Sequence, residues 1–143
     1  YAVRLELAGD VIAKRLAAIS KQMREEKVFF SDEGWLELLQ IYESIRGNLE
    51  LARNVLVSDD IDSARILVEE KSGVKEAERN SRKRHFARLQ NGREESFASS
   101  DMHLETLRAF RDINGHISAV AQPILYRNGQ LLETRLIQNN EIG

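Results

Sequence analysis

The chain lacks several residue types and patterns, and each absence excludes a class of protein. It contains no cysteine, which excludes disulfide bridges and thiolate metal sites. No apolar run approaches the roughly 20 residues that a membrane-spanning helix needs. A single proline leaves room for long uninterrupted helices. The formal net charge of -2 provides no overall reason to expect binding to nucleic acid.

The composition favours a single all-α domain. Residues with high helix propensity are frequent, and a chain of 143 residues is long enough to bury a hydrophobic core. Apolar residues recur at helical spacing in four segments, 1–25, 32–57, 60–90 and 93–126. The short connections between them predict an antiparallel bundle of four long helices. We expect this bundle to span residues 1–136 and a tail to occupy 137–143.

Local signals mark the ends of these helices. Ser31 is the predicted N-cap of the second helix, and Ser58, Asp59 and Asp60 are predicted to end that helix and cap the third. Asn91-Gly92 is a stop signal for the third helix, and Pro123 is predicted to kink or end the fourth. The chain does not begin with Met, and its first residues already have the pattern of a helix interior. We therefore expect it to be a fragment of a longer protein.

Three helices have a regular stripe of predicted core positions. In the second helix, alternating spacings of three and four predict burial of Trp35, Leu38, Tyr42, Ile45, Leu49, Ala52 and Leu56. In the fourth helix, the same spacing selects His103, Leu107, Phe110, Asn114, Ile117, Ala121 and Ile124. The first helix has a comparable stripe at Leu5, Gly9, Ile12, Leu16, Ile19 and Met23.

The third helix predicts a line of polar residues inside the bundle. Lys71, Glu78 and His85 recur every seven residues and therefore share one face of that helix. His103 and Asn114 lie on the inward stripe of the fourth helix. Antiparallel packing brings His85 near the start of the fourth helix and Lys71 near its end. Buried charges need partners, so these five residues are predicted to form a polar network in the core.

Glu78 is the central residue of this network. We expect it to hydrogen-bond across the bundle, to His103 or to a residue of the first helix. The alternative is a third helix rotated by about 100°, with Lys71, Glu78 and His85 all in water.

Glu6 and Asp10 form an acidic pair one helical turn apart, with Gly9 between them. Like charges at this spacing repel each other, and a bound cation would relieve the repulsion. The alternative, which the spacing alone favours, is that both acids face solvent or pair with Arg and Lys.

The histidines and the basic segment have weaker functional signals. No Glu precedes any of the three histidines by three residues, as a ferritin-like metal site requires. His85 resembles a phosphotransfer histidine only in lying on a helix among basic residues. Five basic residues wrap around the third helix, which favours a solvated face over a nucleic-acid patch: Arg79, Arg82, Lys83, Arg84 and Arg88.

Several stretches resemble one family in the same order along the chain. LELAGDVIAKRL is similar to the acidic helix of PhoU-like domains. FSDEGWLELL, LVEEKSGVKEAERNSRKRHFARLQNG, ESFASSDMHLETLRAFRDINGHISAVAQPIL and GQLLETRL resemble the PhoU-like cytoplasmic domain at the C-terminus of bacterial sodium/phosphate cotransporters. The resemblance reaches from the start to about Leu136. It implies that the chain holds the last helix of one three-helix unit and a complete second unit.

The resemblance also implies which residues have functional roles. Glu6 and Asp10 take the positions of metal ligands, for a divalent or iron-type cation. Arg111, Gly115 and Lys71 stand where such proteins carry acids, so a second metal cluster is not expected.

The function that the resemblance implies is an accessory or regulatory domain of a sodium-dependent phosphate transporter, acting in phosphate uptake or homeostasis without catalysis. Its expected partner is the membrane portion of the same polypeptide, on the cytoplasmic side of the inner membrane, and a homodimer is also considered. The alternative is a free-standing metal-binding PhoU-type regulator of phosphate signalling. A di-metal helical-bundle enzyme is disfavoured because the Glu-x-x-His pairs are missing.

Overall fold

The structure, a computed structural model, describes residues 2–129, 131–132 and 135–136. The helices are α1 (Ala2–Asp10), α2 (Ala17–Glu26), α3 (Asp32–Ser58), α4 (Ile61–Gln90), α5 (Glu94–Ala98), α6 (Ser100–Ser118) and α7 (Gln122–Arg127). A π-helical segment, Val11–Leu16, joins α1 to α2, and a 3-10 turn, Ala119–Ala121, joins α6 to α7. Two antiparallel strands of two residues each, β1 (Leu131–Leu132) and β2 (Arg135–Leu136), follow. The predicted all-α bundle is confirmed, while the tail at 137–143 lies outside the described residues.

The helix ends follow the predicted local chemistry. The Ser31 hydroxyl accepts a hydrogen bond from the Gly34 amide at 3.1 Å and caps α3. The Asp60 carboxylate accepts from the Asp62 amide at 3.0 Å and caps α4. Gly92 follows α4 with a positive φ of 73°, which glycine adopts without a steric penalty. The three boundaries are therefore set by residues close in the sequence.

The last helical stretch is interrupted twice. α5 is separated from α6 at Ser99, whose φ of -106° and ψ of 6° are not α-helical. Pro123 lies in the first turn of α7, directly after the 3-10 turn. Its ring removes one backbone donor and would clash with the preceding turn of an α-helix. The predicted disturbance at Pro123 is confirmed, and the helix continues beyond it to Arg127.

Three helices form the centre of the molecule. α3, α4 and α6 all contact one another, while α1, the π-helical segment and α2 pack mainly against α6. The hydrophobic core contains residues of α1, α3, α4, α6 and α7, among them Leu38, Leu67, Leu107 and Leu125. None of the described helices combines the length and the apolar character needed to cross a membrane.

The predicted core stripe of α3 is confirmed at Leu38, Ile45 and Ala52 and is wrong by one residue at its other four positions. The buried positions are Gly34, Leu38, Ile41, Ile45, Asn48, Ala52 and Val55. Trp35, Tyr42, Leu49 and Leu56, which were expected inside, are 55%, 46%, 47% and 39% exposed. Both stripes have spacings of three and four, and neighbouring residues differ by only about 100° around the helix. Contacts with α4 and α6 select the stripe that includes Gly34, Ile41, Asn48 and Val55.

The predicted stripe in the fourth helix holds, apart from Phe110. Six of its seven positions are buried: His103, Leu107, Asn114, Ile117, Ala121 and Ile124. Phe110 is only half-buried and lines a groove with Trp35 and Tyr42. The expected joint burial of these three aromatic residues is therefore wrong.

The first helix also departs from its predicted stripe. Gly9 and Ile12 are exposed, whereas Ala8 is buried. The π-helical segment has more residues per turn than an α-helix. A stripe predicted with one constant helical period therefore cannot follow both halves of this helix.

Candidate functional site

A carboxylate on α3 organises the polar residues between α3 and α4. Glu37 accepts hydrogen bonds from Arg88 at 2.8 Å, from Arg84 at 2.9 Å and from the Ser81 hydroxyl at 2.6 Å. Burial, the largest effect, raises the pKa of Glu37, but the three donors together lower it below its ordinary value. Glu37 is therefore an ionised carboxylate at neutral pH.

Arg88 is the most enclosed of these cations. Its side chain is 9% exposed, and its Nε and Nη2 atoms have no hydrogen-bond partner among the described residues. A buried guanidinium needs a counter-charge, and Glu37 supplies it through Nη1. The ion pair thus joins the N-terminal half of α3 to the end of α4.

Two histidines stack beside this ion pair. The rings of His85 and His103 lie 4.6 Å apart with an angle of 11° between their planes. His85 Nε2 lies 2.8 Å from the Ser100 hydroxyl, and His103 Nε2 lies 3.5 Å from Ser81 Oγ. Because Ser81 gives its only hydroxyl proton to the carboxylate of Glu37, His103 Nε2 is the donor in the longer contact.

Both imidazoles are held neutral. Burial lowers the pKa of His103 to about 4, with His85 and Arg88 acting in the same direction. Burial is also the main cause of the lowered pKa of His85, followed by the charge of Arg88. Neutral rings can stack closely, whereas two imidazolium ions at this distance would repel each other.

Gly34 makes the position of His103 possible. A β-carbon added at Gly34 would lie 3.2 Å from His103 Nδ1 and 3.0 Å from the hydroxyl of Ser31. Phe30 contacts the His103 ring edge-on, with a centroid distance of 5.8 Å. The histidine therefore lies in a close-fitting site between the start of α3 and α6.

The predicted network residues divide into four groups. His85 and His103 are in direct contact, whereas Asn114 accepts a separate buried hydrogen bond from Asn48 at 2.7 Å. Glu78 is buried, but its bond is to Arg82 of the same helix and not across the bundle. Lys71 is exposed, contrary to the prediction that it faces the core.

These departures have a physical reason. The inward stripe of α4 is Val74, Glu78, Ser81, His85 and Arg88. Residues seven apart are shifted by about 20° around an α-helix of 3.6 residues per turn, so Lys71 lies about 40° around the helix from His85, towards solvent. Glu78 meets a nearby arginine one turn later, which satisfies its charge without another helix.

Glu37, Ser81 and Asn48 were not predicted from the sequence as members of the network, and Arg88 was predicted to lie on a solvated face of the third helix. Ser81 and Arg88 could have been found from the alternating three-four spacing that includes Glu78 and His85. Glu37 lies outside the predicted core stripe of α3. The spacing of the residues around it therefore does not indicate that its side chain is partly buried.

Arg15 connects the π-helical segment to α6. Its Nε donates to Glu105 at 2.9 Å, and its Nη1 donates to Asp112 at 2.5 Å. The bond to Asp112 is the largest cause of the raised pKa of Arg15. This three-residue contact anchors the first helical stretch on α6.

The predicted metal pair lies on α1. Glu6 is exposed, and Asp10 lies 3.9 Å from the ammonium group of Lys14. Among the residues that the structure describes, no group of three or more His, Asp or Glu side chains could hold a metal ion. Glu6 and Asp10 supply two carboxylates at most, so they do not form a complete coordination shell by themselves. Metal binding at this pair stays a prediction.

Comparison with known proteins finds relatives of greater length. The chain is 31% identical over 129 residues to the "Putative inorganic phosphate export protein YjbB" of Salmonella typhimurium, covering 90% of this chain and 24% of that protein. It is 30% identical over 123 residues to the protein of the same name from Escherichia coli K12, covering 86% of this chain and 23% of that protein. The chain is a distant homologue of YjbB. It spans about a quarter of the length of these relatives. No family model and no solved structure matches it.

Proposed function

We propose that this chain is a PhoU-like regulatory domain of a sodium-dependent phosphate transport protein, acting on the cytoplasmic side of the inner membrane. The observation that carries the proposal is the alignment of 90% of the chain with a relative named for inorganic phosphate export. The proposed role covers phosphate transport and homeostasis. Under this proposal, other parts of the transporter move the ions, and this helical bundle regulates their transport.

The construction of the bundle supports a regulatory role over a catalytic one. Glu37, His85 and His103 are committed to contacts within the protein. The network joins α3, α4 and α6, so a displacement of one helix must disturb the partners of the other two. We therefore propose that the domain catalyses no reaction and acts through helix packing.

The alternative of a free-standing metal-binding regulator receives less support. Glu6 and Asp10 would need further ligands from another chain or another segment to complete a metal site. The described residues supply no such set.

A segment exchange in Salmonella YjbB tests the proposal. One variant lacks the segment that this chain matches, and a second has that segment replaced by this chain. Efflux of radioactive phosphate is measured in cells with low and high internal phosphate, with and without a sodium gradient. We expect the deletion to retain efflux but lose its dependence on internal phosphate, and the exchange to restore that dependence.

A matched pair of exchange variants tests whether the buried network takes part. Glu37→Ala removes the counter-charge of Arg88, whereas Glu50→Ala removes an exposed carboxylate of the same helix that lies 3.5 Å from Arg53. Only Glu37→Ala is expected to abolish the restored regulation. If the exchange behaves like the deletion, with both proteins present in the membrane in equal amounts, the proposal is wrong.

A further inference from the structure

A cationic cleft lies where α1, α4 and the C-terminal part of α6 meet. Its volume is about 410 Å³. It is lined by four cationic side chains and one carboxylate, which belong to Arg4, Lys71, Lys75, Arg111 and Asp112. The chain as a whole carries a net charge of -2, so this cleft is a local reversal of the overall charge.

The single carboxylate does not neutralise the cleft. Asp112 accepts a hydrogen bond of 2.5 Å from Arg15, which is outside the set that lines the cleft. Arg111 lies 3.5 Å from the same carboxylate and shares it. Within the described part of the chain, Arg4, Lys71 and Lys75 have no ion-pair partner. Like charges that line one cleft repel each other, and a bound anion would relieve the repulsion.

The inner wall adds a neutral donor and open space. Asn114 is buried, and its Oδ1 accepts the hydrogen bond from Asn48, which leaves its Nδ2 donor available to a ligand. Gly115 also lines the cleft, and a β-carbon added there would meet no atom within 4 Å. The wall beside Gly115 is thus open enough for an anion to approach the helix closely.

We propose that this cleft binds a phosphate-type oxyanion, with inorganic phosphate as its ligand. The uncompensated cations Arg4, Lys71 and Lys75 supply the charge for a dianion, and Arg111 supplies a planar fork of donors suited to phosphate oxygens. Anion binding itself follows from the charge of the cleft. The choice of phosphate over other oxyanions rests on the proposed function.

Bound phosphate would connect three helical segments. Arg4 belongs to α1, the two lysines to α4, and Arg111 to α6. Neutralising the cleft removes the repulsion between these segments and favours their close packing. The packing of the first helical stretch against α6 would then depend on the phosphate concentration, because that concentration sets how often the cleft is occupied.

Calorimetric titration of the purified chain tests the site, with inorganic phosphate and with sulfate at constant ionic strength and neutral pH. We expect saturable binding of one phosphate and weaker binding of sulfate. Lys71→Gln and Arg111→Gln should each weaken phosphate binding about tenfold, because each removes one charged contact. Lys83→Gln is the control, since Lys83 is exposed on the same helix as Lys71 but outside the cleft.

A second measurement does not depend on the stability of the variants. Phosphate added to the isotope-labelled, unaltered chain should shift the backbone amide resonances of Gly115 and its neighbours, while those of α3 near Arg53 stay unchanged. Absence of saturable phosphate binding, equal binding of sulfate, or an equal loss in Lys83→Gln would overturn the proposal. The segment exchange in YjbB does not depend on these titrations, so the two proposals can fail separately.

Discussion

Single residues in the polar core depend on contacts that only a few side chains allow. Glu37 compensates Arg88, and His103 fits against α3 because Gly34 has no side chain. Gly34 and Glu37 lie about one turn apart on α3. The N-terminal turns of α3 therefore determine whether the polar residues of α4 and α6 can be buried.

Gly34→Ala is expected to destabilise the protein by about 1–3 kcal/mol, because the added β-carbon crowds the His103 ring. Gly47→Ala is the matched control in the same helix. A β-carbon there meets nothing within 4 Å, so the higher helix propensity of Ala should stabilise the protein by up to about 1 kcal/mol. Urea denaturation gives both values, and equal effects of the two variants would contradict the close fit at Gly34.

The stacked histidines predict that stability falls on acidification. The pKa of His103 drops from 6.5 to about 4 on folding, and that of His85 is also lowered, so the unfolded chain binds more protons in this interval. Stability should therefore decrease as the pH falls from 6.5 towards 4. The lowered pKa of Glu37 adds a further loss of stability below its ordinary value of 4.5.

Urea midpoints at several pH values measure this effect. His103→Gln removes one of the two rings and should give a smaller decrease in the midpoint between neutral pH and pH 5. A variant as sensitive to acid as the original protein would show that other groups cause the decrease.

At the scale of the helix, α3 has two neighbouring apolar stripes, of which one is buried. Leu38 is 3% exposed and Leu39 is 39% exposed, although they are adjacent and chemically identical. The exposed stripe also contains Trp35, the only tryptophan of the chain, and Tyr42. Apolar content alone therefore does not define the face that packs against the bundle.

Leu38→Ala and Leu39→Ala form a direct test of this register. Truncation at Leu38 opens a cavity in the core and should cost about 2–5 kcal/mol, whereas truncation at Leu39 should cost below about 1 kcal/mol. Both free energies of unfolding come from urea denaturation at neutral pH. A larger loss for Leu39→Ala than for Leu38→Ala would show that α3 packs against the bundle through the stripe that contains Leu39, Trp35 and Tyr42.

At the scale of the whole molecule, the helices are not held equally. α3, α4 and α6 contact one another, whereas the first helical stretch packs mainly on α6. Only Ala8 and Ile19 are buried between residues 3 and 26, and Arg15 adds the ionic contacts to Glu105 and Asp112. Hydrophobic burial therefore contributes less to the attachment of this stretch than to the packing of α3, α4 and α6.

Hydrogen exchange followed by mass spectrometry should show that difference. Amides of α1 and α2 are expected to exchange faster than those of α4, because local opening of the first stretch exposes little apolar surface. Arg15→Ala should increase exchange in the first stretch and leave α4 unchanged. Uniform protection of all four helical stretches would contradict this division of the bundle.

Local chemistry within the sequence was sufficient for several helix boundaries and for the all-α bundle, but not for the π-helical segment or the break at Ser99. A capping side chain, a glycine with positive φ and a proline each act on their own turn, so the boundaries at Ser31, Asp60, Gly92 and Pro123 are predictable from neighbouring residues. The stripe of the fourth helix was also predictable, because its apolar residues are confined to one face.

Only the tertiary structure decided which face of α3 is buried and which polar residues are partners. The two stripes of α3 are equally regular, and the distinction depends on the shapes of α4 and α6. Glu37 and Ser81 are 44 residues apart, and the alignment of two helices brings them within 2.6 Å. Arg4, Lys71 and Arg111 likewise lie far apart in the chain but line one cleft. Charge compensation and close packing act through space, and for that reason the spacing of residues along the sequence could not determine them.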